Sequence, residues 1–172
     1  MKLRTNISDL EKKLGYFFSD SSLLILALTH KSFSSKNNER LEFIGDAVLD
    51  YVIATDLYSR HKELHEDALS LMRVALVRGD MLSEVALECG LSDHLLLGPG
   101  ELKSGGRTRS SILADALEAV IGAVHEDGGI EDCRNLITNI FGSRLVNLES
   151  ENLKDPKTRL QEILQGNNEE LP

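Results

Sequence analysis

The stretch ILADALEAVIGAV, residues 112–124, decides the architecture. Apart from Asp115 and Glu118 it holds only apolar and small side chains, and a helix that is apolar nearly all round is buried among other elements. Asp115 and Glu118 stand three residues apart and leave such a helix on one face. Burying one unpaired carboxylate costs several kcal/mol, and a second beside it adds repulsion. The pair therefore calls for a cation.

Working outward, the run NERLEFIGDAVLDYVIATDLY, residues 38–58, sets Glu39, Glu42, Asp46 and Asp50 within one stripe at about 100° per residue. Leu41, Ile44, Val48, Tyr51 and Val52 cover the opposite side, Phe43, Ala47 and Ala54 flank the acids, and Leu49, Ile53 and Leu57 extend the apolar surface. Taken alone, such a stripe is also what the solvated edge of an amphipathic helix looks like. With the stripes of the two helices facing, Glu42, Asp46, Asp115 and Glu118 would form an all-oxygen cluster suited to magnesium or manganese. A di-iron site expects Glu-x-x-His on two helices, whereas Glu42 is followed three residues on by Gly45 and Glu118 by Ile121. Oxygen-only sites suit phosphodiester cleavage, where the cation activates water and stabilises the leaving oxygen.

Period-two alternation is absent elsewhere too, so the expected class is all-α. Further helices are expected over 66–77, 81–88, 110–124 and 130–148, with a capping box from Ser8 to Glu11 and caps at Asp20 and Asp80. Gly98-Pro99-Gly100 and Gly105-Gly106 mark the principal loop. Lys103, Arg107 and Arg109 surround it against Glu101, which makes it either a phosphate-holding loop or a solvated turn.

With 172 residues, 41% of them hydrophobic, the chain can bury one core. It has no apolar run long enough for a membrane span and no signal-peptide pattern at its start, so a soluble cytoplasmic protein is expected. Cys89 and Cys133 are far apart with no metal spacing and are read as reduced thiols. The net charge of −9 weakly disfavours a polyanionic partner, although carboxylates gathered for metal make a chain acidic for another reason.

Residues 38–49, NERLEFIGDAVL, closely resemble the signature of ribonuclease III endonuclease domains. Ala27-Leu28-Thr29-His30-Lys31-Ser32, Gly98-Pro99-Gly100-Glu101-Leu102-Lys103-Ser104-Gly105-Gly106 and Ile112-Leu113-Ala114-Asp115-Ala116-Leu117-Glu118-Ala119 follow that family's pattern in the same order. The likeness runs from about residue 10 to 165 and is closest to the bacterial enzymes. It implies a helical, homodimeric, magnesium-dependent hydrolase, with manganese as a substitute, that cuts double-stranded RNA. Products would carry 5′-phosphate and 3′-hydroxyl ends with a short 3′ overhang, and ribosomal and other transcripts would be processed. The implied metal ligands are Glu42, Asp46, Asp115 and Glu118, with Asp46 and Glu118 indispensable.

Glu39 and Glu66 match acidic positions that shape the site or meet substrate, and Phe43 matches an aromatic that plugs into the partner subunit. Periodicity alone would equally make Phe43 a core residue. His30 is read as structural. The resemblance divides the chain into a catalytic domain over 1–148, a linker over 149–156 around Asp155-Pro156, and over 157–172 the start of a double-stranded-RNA-binding domain that is cut short. An inactive relative that only binds or scaffolds RNA is the alternative, disfavoured because all four acids are present.

Overall fold

The structure is a computed structural model and describes residues 7–151. It is built from α1 (Ile7–Leu14), α2 (Ser21–Ala27), α3 (Glu39–Arg60), α4 (Glu66–Val77), α5 (Gly79–Glu88), α6 (Pro99–Lys103), α7 (Ser110–Gly128) and α8 (Ile130–Glu151). Among the described residues there is no named strand, only an isolated parallel bridge between Thr29 and Leu96. The all-α expectation holds.

The helix read first, α7, lies at the centre and packs against α2, α3, α5 and α8. Residues Ile112, Leu113, Leu117, Val120, Ile121 and Val124 are all buried, each contributing about 1.5–3 kcal/mol by leaving water. Polar residues do not stop it at 124, because Asp127 has its own task. Its carboxylate accepts from the Tyr16 hydroxyl at 2.8 Å and from the amides of Ser19 and Asp20 at 2.8 and 2.9 Å, stapling the chain before α2 to the end of α7. Gly129, at φ +83°, then turns the chain into α8, and Arg144 ties α8 to α5 through a bidentate pair with Glu88 at 2.7 and 2.8 Å.

Asp20 caps α2 as expected, accepting from the Ser22 amide at 2.9 Å. Two other caps are not formed. Helix α1 already includes Ser8, and the Glu11 carboxylate instead accepts from the Phe18 amide at 3.0 Å. Asp80 lies inside α5, whose cap position is Arg78, and its carboxylate pairs with the Arg78 guanidinium at 2.9 Å. On α3, Leu41, Val48 and Val52 are buried as expected, but Tyr51 is 54% exposed. Tyr51 follows Phe43 and Ala47 at four-residue steps, so it shares their outward face rather than the core face. The loop around Pro99 contains helix, with Pro99 at its first turn, a position that needs no amide donor. Helix α8 extends into the segment read as a linker, and residues 152–172 lie outside the described residues.

Candidate metal centre

Helices α3 and α7 cross at two glycines. A Cβ on Gly45 would overlap the main-chain carbonyl of Glu118, and one on Gly122 would overlap that of Leu41. Only hydrogen fits at these points, so the backbones approach more closely than ordinary side chains allow. Glu42 and Asp46 flank Gly45 on one helix, while Asp115 and Glu118 precede Gly122 on the other. The crossing thereby converts two acidic stripes into one site.

Oxygens of Glu42, Asp115 and Glu118 come within 4.8 Å of one another. Burial raises Glu118 to about 8, with the charges of Asp46, Asp115, Glu42 and Asp50 adding to it. Glu42 is raised by burial and then by Asp115, and Asp115 by burial. A half-buried group of carboxylates that all resist ionisation is the electrostatic complement of a cation. Its donors are oxygens without nitrogen or sulfur, which fits a hard divalent ion.

The fourth expected ligand stands apart. Asp46 is exposed at the edge of the cluster and outside the mutual 4.8 Å group, although its charge acts on Glu118. Glu39 is also exposed and pairs with Lys31 at 3.2 Å. Glu66 opens α4 and accepts from the Ser70 hydroxyl at 2.7 Å, outside the group of three. The basic loop is less open to phosphate than its composition suggests. Arg107 donates to the Ser92 carbonyl at 2.6 Å, and Arg109 pairs with Glu101 at 2.7 Å and donates to Ser104, leaving Lys103 exposed. His30 helps to hold its loop, its ring Nδ1 meeting the Ser32 hydroxyl at 2.8 Å and accepting from the Ser32 amide at 3.2 Å. Phe43 is 80% exposed and so is no core residue of this chain. Both cysteines are buried and unpaired.

Two neighbours of the cluster take their partners only from the fold. Asp50 lies in the acidic stripe, but only the fold reveals its partner, Arg73 of α4, at 3.4 Å. Lys31 stands in one of the matched segments with no role attached; its proximity to Glu39 is a tertiary fact.

Fold and site together describe a helical domain with an oxygen-only cluster able to bind a divalent cation. Comparison with known proteins narrows this. The Ribonuclease-III-like family profile matches residues 20–144. The chain is 53% identical over 171 residues to Ribonuclease 3 of Vibrio parahaemolyticus, covering 99% of this chain and 76% of that protein. The crystal structure of the nuclease domain of ribonuclease III from Campylobacter jejuni superposes with a TM-score of 0.77 at 45% identity, covering 81% of this chain and 96% of that one. A second structure of that domain, described for structural flexibility in the region involved in dimer formation, gives 0.78 at 45% identity, with 80% and 97% covered. The chain belongs to the ribonuclease III family, whose members are metal-dependent endoribonucleases. Among the described residues no helix is long and apolar enough to cross a membrane.

Proposed function

We propose that this chain hydrolyses phosphodiester bonds of double-stranded RNA at the crossing of α3 and α7, as a homodimer with magnesium as the working ion. The observation that carries the reading is the meeting of Glu42, Asp115 and Glu118 at that crossing, within a chain of the ribonuclease III family. Glu42, Asp115 and Glu118 would hold the ion through oxygen, with Asp46 completing the set from the exposed edge. Bound there, magnesium, or manganese in its place, supplies Lewis-acid stabilisation of the phosphate and lowers the pKa of an attacking water.

What the chain itself contributes is position and charge. Gly45 and Gly122 fix the separation of the two helices and hence of their carboxylates. Burial at the crossing leaves Glu42, Asp115 and Glu118 poorly hydrated, which strengthens their hold on a cation. Phe43, exposed on α3, supplies an apolar anchor for a second copy, in line with the dimer formation described for the Campylobacter domain. Two sites related by a two-fold axis would cut opposite strands, leaving 5′-phosphate and 3′-hydroxyl ends and a short 3′ overhang. The duplex would be recognised by its A-form shape and backbone rather than by sequence. Ribosomal and other structured transcripts in the cytoplasm are the proposed substrates. In this reading the nuclease domain runs to the end of α8, and residues 157–172 belong to an RNA-binding domain joined to it by a linker around Asp155-Pro156.

A long RNA duplex incubated with and without magnesium tests the reading. Cleavage is expected only with the ion, and Asp46→Asn or Glu118→Gln should slow it about a thousandfold or more, since each removes a charged ligand oxygen. Duplex that is bound but left intact by the unmutated chain in magnesium or manganese would instead identify an RNA-binding relative without catalysis.

A further inference from the structure

Lys31 lies on the connection between α2 and α3, and that connection is built like a bracket. The His30 amide donates to the Leu96 carbonyl at 3.0 Å, and the Leu96 amide to the Leu28 carbonyl at 2.9 Å. The Gly98 amide donates to the Ser32 hydroxyl at 2.9 Å, and a Cβ on Gly98 would overlap the Ser32 carbonyl. Farther along, the Asn38 amide donates to the Thr29 carbonyl at 2.9 Å and its side-chain amide to the Ala27 carbonyl at 3.2 Å. Lys31 thus sits on a stretch of backbone braced on both sides, with a side chain 64% exposed and its ammonium paired with Glu39 at 3.2 Å.

We propose that Lys31 is a substrate-binding residue, whose ammonium leaves Glu39 to take a phosphate oxygen of the duplex beside the cut. The inference rests on the nuclease reading and adds to it a backbone contact outside the basic loop. Exchange is easy, because an exposed ion pair such as Lys31–Glu39 contributes little, and a phosphate offers the same charge with more acceptor oxygens. The fixed backbone keeps the entropic cost of presenting the ammonium low. Position favours it as well. Its partner Glu39 stands one helical turn before Glu42 on α3, and the Lys31 charge reaches both Asp115 and Glu42. Arg107 and Arg109, by contrast, are engaged within the protein.

A lysine that merely balanced the acids would leave RNA affinity untouched and would compete with the metal, so the two roles have opposite signatures. Steady-state cleavage of a duplex in magnesium should be compared for the unmutated chain, Lys31→Met and Lys31→Arg. Duplex binding across a salt series should be measured with the same changes in a Glu118→Gln background, where cleavage is too slow to consume the RNA during the measurement. For Lys31→Met the expectation is a KM raised roughly three- to tenfold with kcat nearly unchanged. Its slope of log affinity against log salt should fall by about one per protomer. The magnesium needed for half-activity should not rise, and Lys31→Arg should restore KM and slope. An unchanged KM and slope in Lys31→Met, or a defect cured by added magnesium, overturns the assignment while the unmutated chain still cuts. Failure of the unmutated chain to cut would overturn the nuclease reading itself.

Discussion

Gly45 of α3 rests against the main-chain carbonyl of Glu118 on α7, with no room for a Cβ between them. One residue without a side chain thus sets the distance over which a carboxylate on each helix must share a cation. A methyl at position 45 meets backbone rather than a flexible side chain, so the helices themselves have to part.

Gly45→Ala should therefore destabilise the protein by about 3 kcal/mol, the upper part of the range for overpacking. In a thermal melt that amounts to a loss of roughly 10 °C. Cleavage should fall further than stability alone explains, because Glu42 and Glu118 are carried apart. Gly79→Ala is the control, since nothing lies within 4 Å of a Cβ there, and its melting temperature should stay level or rise slightly. Equal behaviour of the two variants would show that the crossing does not depend on Gly45.

Glu118 makes stability depend on pH in a defined direction. Its proton is held more tightly in the folded chain, to about 8, than at the ordinary 4.5, mainly through burial. Between these values the native state binds more protons than the unfolded one, so stability falls as pH rises. The contribution is whole below about 4.5 and lost through 8. Melts of the metal-free protein over that range should show the decline, and Glu118→Gln should flatten it and raise the melting temperature by a few degrees at the alkaline end. Magnesium should restore the unmutated protein there and leave Glu118→Gln largely unaffected. A steeper decline in the variant than in the unmutated chain would contradict the account.

Much of this was legible in the chain itself. The near-absence of polar side chains over 112–124 dictates a buried helix, and helical spacing alone puts Asp115 with Glu118 and Glu42 with Asp46. Spacing could not say which acids converge. Glu42 meets Asp115 and Glu118 while Asp46 stays at the edge, because that choice depends on how the Gly45 crossing is rotated. Nor does composition distinguish an arginine that faces solvent from one tied to the Ser92 carbonyl, since the partner lies fifteen residues away in sequence. The caps at Ser8 and Asp80 failed for a similar reason, as Glu11 and Asp80 have other partners in the folded chain. Lys31 acquires meaning only once the bridge between Thr29 and Leu96 has set its loop.

Phe43 should behave as an interface anchor. Its ring is 80% exposed, and Tyr51, two turns along the same face, is 54% exposed. So much apolar surface on one helix face is costly in a monomer. Phe43→Asp should weaken self-association about thirtyfold or more, as expected for an aromatic at the heart of an interface. Sedimentation across a micromolar concentration series would read this directly, with the melting temperature at the lowest concentration nearly unchanged. A monomeric unmutated chain at those concentrations would remove the homodimer from the proposal.

The basic loop gives the last prediction, because there the structure divides residues that composition groups together. Arg107 is bonded to the Ser92 carbonyl at 2.6 Å, so Arg107→Ala should cost about 1–2 kcal/mol of stability by leaving that acceptor short of a charged donor. It should leave the salt dependence of duplex binding almost unchanged, since no released counterion is attributable to an arginine turned inward. Lys103, exposed on the same loop, should behave in the opposite way: Lys103→Ala should melt like the unmutated chain and reduce the salt slope by about one. Arg109 falls between the two, because its pair with Glu101 at 2.7 Å has to open before it can reach a phosphate. Glu101→Gln should release it and tighten duplex binding at low salt. If Arg107→Ala lowered the salt slope as much as Lys103→Ala while keeping full stability, the arginine would have to leave Ser92 on meeting RNA, and the loop would act as a phosphate cradle after all.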